Sequence, residues 1–588
     1  MKGKVAILLS LIILVAGCLG GQSTTPQEKL ENLDQIKTIF NLSKSQIDYL
    51  TNNGILVIPN GRGAGDIYSL LVKDEVPGII TVDSAFLLYS QVYLISYFWI
   101  LENDVSPTLR NLLLYLVRES AKAGDIDVAS YLAVALLMLD PNVTLPAPLP
   151  VSKPNETGIL SAITWLTKEG INVSSKEGNL EVVRLAKIIK GCPECLQNIS
   201  RIDSELTFFL GPSRGLSVLD YVNNLDAIAS GRVSPLQLLA SKQPLIVRGR
   251  SLEKELRVSL FGVRLDPGSY ILETLIYPNL GPNPTSKTYS RILAYGDSAG
   301  LLSKPISFYR TCDNLDQNRD KYWGEIYEIT ISLYKRKIIS AKDANNIIPL
   351  LPNLVYLPAV LGSSYAYTIA SSLGYCDFQF QYKRLVNQFR EIPPDSMKNR
   401  AARAIKLLFE AGRPRSDGWE KRFINTTISF WLIMNGAENF TIVKDTIPSG
   451  RLADAYIEPY PEVYAELYAS LKELDGFLTA MGVNDETLRW AVNRAAALML
   501  RAYQVSTKIK EGKTLTEDDL IFLTQEFPRD SIAIPHSFGG IRLPKNLVIY
   551  SREGMSLRAE VELGTVLVVY NNKIFVGPII INKAWIEG

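Results

Sequence analysis

Apolar residues recur at helical spacing along most of the chain, and the period shortens to two only near the C-terminus. Leu42 to Leu50 predicts a short helix closed by Asn52-Asn53-Gly54. Thr81-Val-Asp-Ser84 supplies capping side chains, and Ala85 to Leu101 follows as a strongly apolar helix. Ser90, Gln91 and Ser96 interrupt that run, so it reads as a buried core helix rather than a membrane span. Further helices are predicted at 107–122 and 127–139. Asp140 to Asn155 carries five prolines and reads as an extended connection. The helical pattern continues with interruptions to residue 260, whereas 262–310 is rich in Pro, Gly and Tyr and resists assignment. Helices resume at Tyr322. Pro461 to Gly482 has Pro and Glu at its start, Gly at its stop and one apolar face through Val463, Leu467, Leu471, Leu474 and Leu478. Another helix is expected over Asn484 to Lys508, and Thr516-Glu-Asp-Asp519 caps a third. Leu557 to Leu563 then alternates every second residue, and Val566–Tyr570 and Lys573–Val576 flank Asn571-Asn572 as a hairpin.

The pattern predicts a mainly α protein, α+β overall: a large multi-helix body over 36–530, with a subdivision point near 140–156, and a small C-terminal β unit over 531–588. The N-terminus has a different character. Lys2 and Lys4 lead an apolar run from Val5 to Ala16, followed by Leu14-Val-Ala-Gly-Cys18. A basic start, a short apolar stretch and a small-residue cleavage site resemble a lipoprotein signal peptide with its lipobox. On that reading residues 1–17 are removed, Cys18 becomes the lipidated first residue, and the polar stretch 18–35 is a flexible tether. The expected location is the cell surface, on the extracytoplasmic face of the plasma membrane.

Charge adds an exclusion. The 62 basic residues fall to 60 when Lys2 and Lys4 leave with the signal, against 60 acidic ones. A neutral chain has no global field to draw in nucleic acid, so none is expected as a partner. With Cys18 set aside, Cys192, Cys195, Cys312 and Cys376 form an even set suited to an oxidising compartment. Local pairing, Cys192–Cys195 with Cys312–Cys376, is the simplest of three connectivities. Gly191-Cys-Pro-Glu-Cys195 follows a helical segment, not a strand in a βαβ unit, so a structural bridge is expected over a thiol redox pair. N-x-S/T sequons at Asn41, Asn142, Asn155, Asn172, Asn198, Asn425 and Asn439 mark candidate glycosylation sites.

Candidate chemistry is sparse. His536 is the lone histidine, which excludes multi-histidine zinc sites. Its setting, Ile534-Pro-His-Ser-Phe-Gly-Gly540, reads as a loop leading into the β unit. No metal and no cofactor is implied. Gly296-Asp-Ser298-Ala-Gly300 spells the nucleophile elbow of α/β-hydrolases and resembles that of hormone-sensitive-lipase-like enzymes, with His536 downstream, but convincing strand–turn–helix patterning is missing. Glu458 and Glu462 are paired carboxylates of the kind a glycosidase needs, beside abundant aromatics. Glu462 reads more simply as an acid at a helix start. Asn60-Gly-Arg-Gly-Ala-Gly65 fits neither a dinucleotide fingerprint nor a Walker loop and reads as a glycine-rich turn.

Several segments together resemble the DUF3160 family of uncharacterised exported proteins. Thr81-Val-Asp-Ser84 with Tyr89 resembles the family's T-x-D-S-x-L-H-x-Y-H. Trp419-Glu-Lys-Arg-Phe-Ile-Asn-Thr-Thr-Ile-Ser-Phe-Trp431 is similar to K-x-L-N-T-A-L-A-S-W. Tyr456-Ile-Glu-Pro-Tyr-Pro-Glu-Val-Tyr-Ala-Glu-Leu467 resembles Y-V-E-P-N-P-E-x-Y-A-x-L most closely, and the β ending fits as well. The family's histidines fall on Leu87 and Ser90 here, and its R-H-D on Met434-Asn-Gly, so histidine chemistry is not carried over. The overall style resembles surface lipoproteins of hyperthermophilic archaea. The expected role is a membrane-anchored extracytoplasmic lipoprotein that binds a glycan, peptide or envelope protein, leaning away from catalysis. The alternatives are an extracellular hydrolase, glycosidase or serine esterase, and a transporter-linked solute-binding lipoprotein.

Overall fold

A computed structural model describes residues 30–146, 148–242, 256–277, 279–411, 416–437 and 439–588. Residues 1–17, read as a signal peptide, and Cys18 lie outside the described residues. The protein is 60% helical with a smaller β component, a mainly α, α+β architecture. Its strands are β1 (Ile55–Ile58), β2 (Gly78–Ile80), β3 (Ile171–Asn172), β4 (Leu216–Ser217), β5 (Arg257–Ser259), β6 (Phe440–Val443), β7 (Ala455–Ile457), β8 (Ile541–Pro544), β9 (Leu547–Arg552), β10 (Met555–Tyr570) and β11 (Lys573–Glu587).

The central helix is Val82–Ile100, N-capped by Thr81, whose hydroxyl accepts the Ser84 N–H at 3.1 Å. It continues through a π-turn, Leu101–Val105, into Ser106–Lys122. Apolar residues surround Val82–Ile100 on every side, which demands burial all round. Its most apolar window is 89% buried inside the protein. Phe86 stacks on Phe430 at 4.2 Å, and the Tyr89 hydroxyl donates to the Met397 carbonyl at 3.1 Å. The Asp417–Asn435, Pro461–Ala480 and Glu486–Lys510 helices pack around this core. The 262–310 region, unassigned from sequence, forms the Pro267–Thr274 and Tyr289–Ser298 helices and a 3-10 turn at Ile306–Arg310.

The C-terminal strands are longer than the alternation indicated. β10 and β11 form one hairpin, paired from Tyr570↔Lys573 to Ser556↔Glu587. Asn571 and Asn572 both take positive φ, 46° and 60°, as a two-residue hairpin turn needs. The hairpin is the middle of a six-stranded sheet, ordered β1-β10-β11-β2-β7 with β9 also on β10. β1 and β9 pair antiparallel with β10, while β2 joins β11, and β7 joins β2, in parallel. Met555, Leu557, Ala559, Val561 and Leu563 enter the main core. On the opposite face Ser556, Arg558, Glu560 and Glu562 stay partly exposed. Further along that face Val566 and Val568 join Ile55, Phe575 and Ile579 in a second, smaller core.

Two disulfides form, Cys192–Cys195 and Cys312–Cys376, separated by 3 and 64 residues. A cross-link restricts the unfolded chain more when it closes a longer loop, about 4 kcal/mol for the second against about 2 for the first. Cys312→Ser with Cys376→Ser is therefore expected to lower the unfolding free energy by about 2 kcal/mol more than Cys192→Ser with Cys195→Ser. Denaturant unfolding of the two double variants measures the difference, and the reverse ranking would discard the unfolded-chain account.

Candidate functional site

Three chain segments meet at one buried cation. Arg422, in the first turns of Asp417–Asn435, lies between Asp83 at the start of Val82–Ile100 and Glu458 just before Pro461–Ala480. Its Nη2 donates to Asp83 Oδ2 at 2.7 Å and to Glu458 Oε2 at 2.9 Å, and its Nη1 donates to Glu458 Oε1. The side chains of Arg422, Asp83 and Glu458 are 0%, 1% and 2% exposed. Asp83 Oδ1 also accepts the Thr426 hydroxyl at 2.8 Å and the Ile580 N–H at 3.4 Å. The N–H of Val82 donates to Glu458 Oε2 at 2.8 Å.

One guanidinium against two carboxylates leaves a formal charge of −1 in the interior. The positive N-terminus of Val82–Ile100 offsets it, because Asp83 sits in the first turn and Glu458 binds the first helical N–H. Burial raises the Asp83 pKa and the Glu458 charge adds to the rise, while Arg422 opposes it. Burial by itself lowers the Arg422 pKa, but Glu458 and Asp83 outweigh it and the guanidinium is held charged. Sealed from solvent, the triad cannot meet a substrate. It clamps three helices and the hairpin.

The residues singled out from sequence are dispersed. Glu458 belongs to the triad, whereas Glu462 forms a half-exposed ion pair with Lys510. Ser298 is the last residue of Tyr289–Ser298, and its hydroxyl donates to the Tyr295 carbonyl at 2.9 Å. That helix end is not the strand-to-helix turn of a nucleophile elbow. His536 is exposed and ends the Phe527–His536 helix, which runs on through Pro535, so the expected loop begins only after it. Pro535 has no N–H to give the Ser531 carbonyl, and the helix stops one residue later. Asn41, Asn142, Asn155, Asn172 and Asn439 are exposed and Asn198 is half-buried. Asn425 instead donates to the Ile580 carbonyl at 2.6 Å and accepts from the Asn582 side chain at 3.0 Å. A glycan at Asn425 would displace those helix–sheet bonds. Among the described residues, no group of three or more His, Cys, Asp or Glu is placed to hold a metal ion.

The glycine-rich turn has a definite task. Gly63 precedes the Ala64–Lys73 helix, and the Asp445 carboxylate accepts the N–H groups of Gly65 and Asp66 at 2.8 and 3.0 Å. A helix N-terminus of this kind attracts anions, and here the chain's own carboxylate fills it. A Cβ on Gly65 would lie 1.9 Å from the Thr446 carbonyl oxygen, so only glycine permits the approach.

Beside this turn lies a cleft of about 290 Å³, lined by Gly61, Thr441, Leu543, Lys545, Glu560 and Glu562 among others. Glu560 and Glu562 share the partly exposed face of β10, and Glu562 is paired with Lys583 at 2.8 Å. The cleft thus presents the Glu560 and Glu562 side chains of β10 beside Lys545, a setting suited to holding a small polar group.

One acid is strongly perturbed elsewhere. Glu205, in the Pro193–Leu210 helix, is 1% exposed, and burial followed by the neighbouring Asp104 pushes its pKa up to about 8, against the pull of Arg201. No solute reaches it, so its protonation bears on stability.

The molecule is therefore a mainly helical α+β protein whose described residues carry a charged clamp and one polar cleft. Residues 328–531 match the family described as "Protein of unknown function (DUF3160)". That match holds Arg422 and Glu458, while Asp83 and the β10–β11 hairpin lie outside it. No curated protein and no solved structure matches the chain.

Arg422→Met leaves two carboxylates buried without their cation, and about 3–5 kcal/mol of stability is expected to be lost. Denaturant unfolding checks this, and a loss below about 1 kcal/mol, the range of an exposed pair, would remove the triad from its central place. For Glu205 the folded state holds a proton that the unfolded chain releases above its ordinary pKa of 4.5. Stability from this group is complete below pH 4.5 and is lost as pH rises towards about 8. Glu205→Gln is expected to flatten that decline in unfolding free energy. An unchanged slope between pH 4.5 and about 8 would show that the carboxyl is already ionised.

Proposed function

We propose that this protein is a membrane-anchored extracytoplasmic lipoprotein with a binding or envelope-assembly role. The observation that carries the reading is the distribution of cysteines. Cys192–Cys195 and Cys312–Cys376 are bridged, as in an oxidising compartment, and the fifth cysteine, Cys18, follows a short apolar run led by two lysines. Binding is favoured over catalysis because Glu458 is sealed in the triad and Ser298 ends a helix. The cleft beside Gly61 is the seat for a polar group of a glycan, peptide or partner protein.

Expression of the full chain in a lipoprotein-processing cell, followed by fractionation and mass spectrometry, tests the anchor. The wild-type chain is expected in the membrane fraction, starting at Cys18 with added lipid mass, and Cys18→Ser in the soluble fraction. Equal partitioning of the two would sink the proposal. Offered panels of cell-surface glycans and peptides, the membrane-bound protein is expected to retain a ligand that Glu560→Gln weakens without a change in stability.

A further inference from the structure

The described chain begins bonded to the hairpin. Leu30 is 7% exposed, the Glu31 N–H donates to the Asn572 carbonyl at 2.9 Å, and Asn32 holds the backbone of Ile574 from both sides. The Asn32 Nδ2 donates to the Ile574 carbonyl, and the Ile574 N–H donates to Asn32 Oδ1, each at 2.8 Å. These bonds fix where the tether leaves the body, beside the Asn571–Asn572 turn.

We propose that this end of the molecule, the β10–β11 turn with residues 30–32, faces the lipid surface to which Cys18 is attached. The inference rests on lipidation of Cys18 and adds an orientation to it. Twelve residue steps separate Cys18 from Leu30. They span at most about 40 Å however they are arranged. A compact body of this length has a radius of gyration of about 24 Å and is about 60 Å across. The pole opposite Leu30 therefore cannot reach the bilayer, whereas the hairpin turn, beside residues 30–32, can.

The composition of this end suits a lipid surface. Tyr570 is 39% exposed and stacks on Tyr456 with ring centroids 4.2 Å apart. Aromatic rings of this kind settle at the membrane–water boundary. The nearby charges are mixed: Glu31, Asp34 and Asp74 stand against Lys37 and Lys73, and Lys573 pairs with Asp454 at 2.6 Å. With no basic excess the surface does not attract anionic lipid by itself, so the covalent lipid supplies the hold.

The full lipidated chain, carrying a fluorescent amino acid at Glu31 or at Leu180, both exposed, is reconstituted with phosphatidylcholine vesicles containing a lipid acceptor. Leu180 is exposed on the Lys176–Lys190 helix, which packs chiefly on the Ser106–Lys122 and Val218–Asn223 helices rather than on the hairpin. Energy transfer is expected to be at least about threefold more efficient from position 31 than from 180, given a tether shorter than the body. Binding is expected to persist at high salt and vanish in Cys18→Ser. A vesicle-bound chain with equal transfer from both positions overturns the orientation alone. A wild-type chain that stays off the vesicles overturns the anchor and the orientation together.

Discussion

A guanidinium buried without its partners is among the least tolerable groups in a protein interior, and this fold is arranged so that Arg422 never lacks them. Asp83 comes from the start of the central helix and Glu458 from the approach to a second helix, while the Ile580 N–H of the final strand donates to Asp83. None of these segments can shift without exposing the others to an unpaired charge. The Thr81 hydroxyl, donating to the Pro578 carbonyl at 2.9 Å, and the Asn425–Asn582 bonds extend the same junction along the hairpin. Specificity of assembly follows from this geometry more than net stability does, since the desolvation of three charges offsets much of their attraction.

The long elements were legible because their patterns are local. The central helix was expected from Ala85 to Leu101 and spans Val82–Ile100; the helix beginning at Pro461 ends at Ala480. The Asn571-Asn572 turn was legible because asparagine is among the few residues that tolerate positive φ twice in succession. The short strands were not. β1, β2 and β7 are three or four residues each, too short to display a period; β1 and β2 acquire strand character by pairing with the hairpin, and β7 by pairing with β2.

The clamp was half legible. Asp83, Arg422 and Glu458 all lie in the segments that resemble DUF3160, yet nothing local ties them together. Arg422 is 339 residues from Asp83 and 36 from Glu458. Glu458 reads as an acid for sugar chemistry because its sequence neighbourhood is aromatic, and only three-dimensional packing turns it into a counter-ion. Asp445 was missed for the same reason, standing 380 residues from the Gly65 N–H that it accepts. The cleft combines β6, β8 and β10 with the glycine-rich turn and has no signature in any one of them.

The position of β11 has a consequence for the life of the chain before it is folded. This last strand is not an edge but an interior member of the sheet, with β10 on one side and β2 on the other. Residues near 55 wait for β10, and residues near 78 and 455 join them in one sheet only through residues 573–587. Contacts spanning almost the whole sequence are slow to form, and the exposed β1 and β2 segments remain open to other chains meanwhile. Until residues 573–587 are made and paired, the β1–β10 part and the β2–β7 part of the sheet stay unjoined.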